Sequence, residues 1–175
     1  MKEIEQLIIS SVFGEDNYRK VSFLEPNDFK DYPTKPFRSL WKLIDEHKAY
    51  DLTVLTILAK SKNEDLKQFM LGQCDIVTAT HIQRYALILL ENRFKTLFLT
   101  LLVKLSSDVL NVLERQLLGE IQSEVLKQDI FELTDNVIDY LGSQGSETTK
   151  NRINDFISYR DKRANEAKRI INVTK

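Results

Sequence analysis

Ile4, Leu7, Ile8 and Val12 recur at helical spacing, so residues 2–13 read as an amphipathic helix ending near Gly14. A short helix and then an irregular segment containing SFLEPNDF are expected over 17–31. Pro36 is placed to open the next helix, because proline is favoured in a first turn. That helix carries a stripe of Phe37, Leu40, Trp41 and Ile44 and runs to about Tyr50. Asp51 can cap a following helix that turns Leu52, Leu55 and Leu58 inward. One more short helix fits 64–71. Together these pieces make a head of about 75 residues, near the lower limit for an independent core.

The pattern changes after residue 78. Thr80 is a candidate N-cap for one long helix reaching Ser107, and Ser106, Ser107 and Asp108 form the expected turn. A second long arm is expected from about 109–114 to Leu141, marked by Leu113, Leu117, Ile121, Val125, Ile130, Leu133 and Val137. Spacings of three and four over such lengths signal helix–helix packing. Two arms of about 40 Å joined by a short turn make an antiparallel hairpin. GSQGS at 142–146 reads as a flexible linker. Residues 148–171 then form an amphipathic helix with Ile153, Phe156, Ile157, Ala164, Ala167 and Ile171 on one side. The predicted fold is all-α: a helical head (1–78), a helical hairpin (79–142), and a flexible linker with a basic helix (143–175).

Composition agrees with this class. Hydrophobic residues make up 42% and charged residues 29% of the 175, a globular balance. Only five Gly and three Pro occur, and Pro26, Pro33 and Pro36 all precede the second half, whereas a β-rich fold needs turn residues throughout. Cys74 is the single cysteine, which excludes an intramolecular disulfide and suits a reducing compartment. The opening MKEIEQLIISSVF puts acids inside the apolar run, unlike a signal peptide. The apolar stretch 85–105 is interrupted by Glu91, Arg93, Lys95 and Lys104. Each would cost about 2.5–3.5 kcal/mol at a bilayer centre, so a water-soluble helix and a cytoplasmic protein are expected, with no membrane partner.

Charge is unevenly placed. Residues 150–175 hold eight Lys/Arg against three Asp/Glu, or +5. From totals of 25 and 26, residues 1–149 carry 17 against 23, or −6. An acidic body disfavours a duplex-binding surface, so any DNA contact is expected to be weak or indirect.

Motifs for chemistry are absent. No glycine precedes a lysine, which excludes the phosphate loop GxxxxGK[ST], and no GxGxxG, CxxC or HExxH occurs. His47 and His81 stand apart from any carboxylate set at metal-ligand spacing, and Cys74 has no activating neighbour in sequence. Neither catalysis, a cofactor nor a metal is expected in this chain. Trp41 could stack on a nucleic-acid base, but it shares a stripe with Leu40 and Ile44, which favours core packing.

The first long arm is the anomaly. Around 97–105 it is apolar on almost every side, more than one partner helix can cover. Either the head folds back on it, or Phe94, Leu97, Phe98, Leu101, Leu102 and Leu105 form an interface between subunits. The second reading is preferred here.

Glu5-x-Leu7-Ile8, Leu24-x-Pro26-x-Asp28-Phe29, the Phe37/Leu40/Trp41/Ile44 stripe and Asp51-Leu52-x-x-Leu55-x-x-Leu58 follow one another in an order and spacing that resemble the N-terminal domain of DnaB-type replicative DNA helicases. Tyr85-Ala86 stands where that family opens its hairpin. The resemblance covers residues 3–58 best, the hairpin less, and the tail by position alone. It implies a role in DNA replication: subunit assembly as a dimer or higher (a hexamer at full length), docking of primase and of a helicase loader, and a linker helix after residue 142. It also implies that ATP and magnesium belong to a motor domain outside these residues, so this chain is expected to be a fragment of a longer helicase. Two alternatives are a short phage or mobile-element protein that mimics the domain to recruit or block a helicase, and the helicase-binding domain of a primase. The tail helix argues against the primase.

Overall fold

The computed structural model describes residues 2–12, 14–29, 36–51, 53–55, 57–58, 79–107, 121, 129–144 and 146–174. Among them every regular element is helical. In order these are α1 (Lys2–Ser11), α2 (Glu15–Val21), a 3₁₀ turn (Pro26–Asp28), α3 (Pro36–His47), α4 (Ala79–Ser107), α5 (Ile130–Gln144) and α6 (Glu147–Val173). None of the described helices is long and apolar enough to cross a membrane.

The chain divides into two compact units, Met1–Leu90 with Asn165–Lys175, and Glu91–Ala164. Both boundaries fall inside long helices, α4 and α6, rather than near residues 78 and 142 as the sequence suggested.

In the first unit the head forms around Trp41, which is fully buried. Its indole N–H donates to the Leu24 carbonyl at 3.0 Å, and its ring lies 5.5 Å from Tyr18 and 5.2 Å from Phe29. A tryptophan can be buried this fully because its one polar atom has a partner. The LEPNDF segment supplies that partner by a local device. Pro26 opens the 3₁₀ turn, Asp28 Oδ2 accepts from the Glu25 amide at 2.8 Å, and the Asp28 amide donates back to the Glu25 carbonyl at 2.9 Å. This reciprocal capping sets Leu24 and Phe29 against Trp41, while Arg38 donates to the Phe29 carbonyl at 3.0 Å. The side chain of Phe37 lies outside the described ones.

Two turns close the head. Gly14 precedes α2 at φ +102°, a conformation strained for any side chain, and its amide donates to the Tyr50 carbonyl at 3.3 Å. Asp51 Oδ1 accepts from the Thr53 and Val54 amides at 2.8 and 3.0 Å, the expected cap. The helix expected over 64–71 lies outside the described residues.

Tyr18, Asp45 and Lys48 pin α2 to the end of α3. The Tyr18 hydroxyl donates to Asp45 Oδ1 at 2.8 Å, and Lys48 Nζ donates to the same oxygen at 2.6 Å. Burial first, and then the Asp45 carboxylate, push the Tyr18 phenol up to about 12. Hydrogen bonds from Lys48, and then from Tyr18, hold Asp45 below its ordinary value. A raised folded-state value contributes stability that is fully present below the unfolded value of 10.0 and is lost as pH rises through about 12. Urea midpoints of the wild type should therefore fall across that window, and Tyr18→Phe should flatten the decline. Parallel declines in the two proteins would refute this coupling.

Candidate functional site

The second unit contains the apolar arm at 97–105 together with α5 and most of α6. α5 begins at Asp129, whose Oδ1 accepts from the Phe131 and Glu132 amides at 2.8 and 3.3 Å. The second arm expected as one helix through 109–141 is therefore interrupted at Asp129. Except for the helical residue Ile121, its portion over 108–128 lies outside the described residues.

α5 continues through Gly142 and Ser143 to Gln144, and α6 starts at Glu147. Ser146 caps α6: its Oγ accepts from the Thr149 amide at 3.3 Å and its carbonyl from the Lys150 amide at 3.0 Å. Gly142, Ser143 and Gln144 thus end one helix and Ser146 caps the next. Arg160, on α6, meets Phe131 and Thr134 on α5, at nearly equal distances along the chain from the joint. α5 and α6 are therefore antiparallel, whereas the turn expected at Asp108 between α4 and a second arm lies outside the described residues.

α6 also runs antiparallel to α4. Phe94 meets Tyr159, and four residues later Phe98 meets Phe156. The Phe98 and Phe156 rings stack at 5.2 Å. Phe94 receives Phe131 and Tyr159 edge-on, with centroids at 6.1 and 6.3 Å and interplanar angles of 87°.

These contacts decide where the six candidate interface residues stand. Phe94, Phe98, Leu102 and Leu105 are buried within the chain, whereas Leu97 and Leu101 are half-buried. The first four are interior positions, a correction to the expectation of an open subunit-facing surface. The physical reason is the third helix: counting only two arms left half of the apolar arm without cover, and α6 lies along it, with Tyr159 against Phe94 and Phe156 against Phe98. The exposed apolar residues of α4 are Leu87 and Val103, at 43% and 57%.

The inner stripe of α6 is Thr149, Ile153, Phe156, Arg160, Arg163 and Ala167, all buried, in steps of four and three. Two arginines in that stripe were not anticipated, because a cation was read as a position facing water. The unbroken alternation of steps was the available signal. Arg160 is 4% exposed and donates to Thr134 Oγ1, to the Phe131 carbonyl and Asp135 Oδ1 at 3.4 Å, and to Asp161 Oδ1 at 2.8 Å. Its guanidinium lies 4.7 Å from the centroid of the Phe131 ring. Arg163 donates to the Tyr159 hydroxyl at 2.9 Å and lies 5.8 Å from the centre of that ring.

The arrangement is chemically a clamp: fixed donors hold one helix to another. Asp135 and Asp161 are mostly solvent-facing and paired to Arg160. Among the described residues no group of three His, Cys, Asp or Glu is gathered as for a metal. His47 and His81 are exposed, and Cys74 lies outside the described residues. Trp41 belongs to the head core rather than to a stacking platform.

Loss of Arg160 leaves no buried orphan. The Thr134 hydroxyl also reaches the Ile130 carbonyl at 2.7 Å, and both carboxylates have water. Both variants lose the guanidinium; Arg160→Met, which keeps the stem volume, should cost about 1 kcal/mol, whereas Arg160→Ala should cost about 3 kcal/mol through the further loss of stem packing. Equal losses in chemical denaturation would show that the ionic contacts, not the stem, carry the clamp. No family model matches this chain, and neither does any curated protein or any solved structure.

Proposed function

We propose that this chain is an assembly and partner-docking domain of a DnaB-type replicative helicase, whose ATP-driven motor lies outside these residues. The observation that carries the reading is the head. Leu24, Pro26, Asp28 and Phe29, the residues on which the resemblance rests, act together with Leu40, Trp41 and Ile44 as one packing unit, closed by the cap at Asp51. That the residues carrying the resemblance pack as one unit supports a shared head fold, and the function is then argued from the surfaces that fold would present.

In this reading the chain contributes self-association and offers surface to primase and a loader. Because Phe94, Phe98, Leu102 and Leu105 are interior, association falls to the rest of the arm, where Leu97 and Leu101 are half-buried and Val103 is exposed. Light scattering at tens of micromolar should report a dimer or larger. Leu101→Glu and Val103→Glu should shift the mass toward the monomer with helix content retained. Phe98→Glu, in contrast, should unfold the second unit, since Phe98 is fully buried against Phe156. A wild-type monomer at that concentration defeats the assembly role.

A further inference from the structure

Two faces of the second unit carry opposite charge beside apolar groups. Arg93, Leu97, Leu101 and Lys104 follow one another along α4 in steps of four, four and three, a flank about 17 Å long. The first three are half-buried and Lys104 is exposed. The Arg93 Nε is shut away from water and makes no hydrogen bond among the described residues. Glu91, the only acid of α4, lies on the opposite side of the helix from Arg93 and is paired with Lys95 at 2.8 Å.

The other face is on α5. Phe131 and Asp135 lie one turn apart with Glu132 beside them, and all three are exposed. Phe131 keeps 36% of its surface in water although its ring meets Phe94 and Arg160. α5 contains no lysine or arginine. Arg160 reaches this face from α6, but Asp161 offsets its charge at 2.8 Å, so Glu132 and Asp135 leave the face negative.

A buried N–H without an acceptor is costly, and a guanidinium is most strongly satisfied by a carboxylate. Leucines between cations on one face, and a phenylalanine beside carboxylates on the other, give each an apolar centre with a charged rim. That is the anatomy of a protein–protein contact. We propose that the α4 flank of one copy of this chain docks on the α5 face of a second copy. Arg93 and Lys104 then meet Glu132 and Asp135, and Leu97 and Leu101 meet Phe131. Such docking is one form of the self-association proposed above and rests on it. The two faces differ, so the contact is head to tail, and growth continues past two copies unless the rotation closes a ring.

Two variants separate the faces. Arg93→Glu/Lys104→Glu disables the α4 flank, and Glu132→Lys/Asp135→Asn disables the α5 face. Each alone should weaken self-association at least about tenfold. Mixed in equal amounts, they should form a one-to-one pair that grows no further, because each retains the face that the other lacks. Analytical ultracentrifugation of the wild type, the variants and their mixture reads this, and circular dichroism checks folding. Where a variant loses helix, Arg93→Gln/Lys104→Gln or Glu132→Gln/Asp135→Asn replaces it. A wild-type monomer defeats the assembly role and the docking with it. If the wild type associates, two results overturn the docking alone: a folded variant that associates as tightly as the wild type, or variants that stay monomeric when mixed.

Discussion

Seven of the nine residues from Leu97 to Leu105 are apolar, and a helix of that kind is stable in water only if other elements cover it on most sides. Burial contributes about 25 cal/mol per Å², so leaving half of such a helix open forfeits several kcal/mol, comparable with the whole stability of a small domain. The second unit meets this demand with α5 and α6. Between residues 91 and 99 no position of α4 is fully exposed. Because α5 ends at Gln144 and α6 starts at Glu147, a second long helix is at hand for the same arm.

The same demand explains the aromatic geometry. Phe94 and Phe98 lie one turn apart on α4 and need broad, flat partners where three helices meet. Tyr159 and Phe156 come from α6 and Phe131 from α5, so each helix supplies at least one ring. Edge-on and offset contacts of this kind add about 0.5–1.5 kcal/mol each beyond the area they bury. The head solves a smaller version of the problem, wrapping Trp41 with Tyr18, Phe29 and Leu24 and using the Leu24 carbonyl to satisfy the indole.

The all-α class, the limits of α4 and α6 to within a residue or two, and the Asp51 cap were legible from spacing and capping alone. These are local properties, set by residues three or four apart. What was not legible was non-local. GSQGS has the composition of a flexible linker, yet Gly142 and Ser143 extend a helix and Ser146 caps the next, since composition does not record what the flanking helices pack against. Misreading that joint removed α6 from the arm and produced the expectation of an open interface at Phe94, Phe98, Leu102 and Leu105. Asp129 was passed over for a similar reason. An acid within a periodic apolar run resembles an ordinary exposed helix position until its side chain is seen to accept from the two amides ahead of it.

Arg160 and Arg163 raise the question of why an interior stripe should hold cations. A methionine at either position would keep the apolar stem and avoid desolvating a charge, so stability alone does not select arginine. Apolar stripes that repeat every three and four residues tolerate sliding by a turn, because leucine-like positions are interchangeable. A guanidinium that must meet Thr134, Asp135 and the Phe131 carbonyl at once is not. Sliding α6 by one turn, about 5.4 Å, would strand it among apolar side chains. Arg160 therefore acts on register: it penalises the alternative packings that an over-apolar arm otherwise invites, and it does so where the covering helix meets α5.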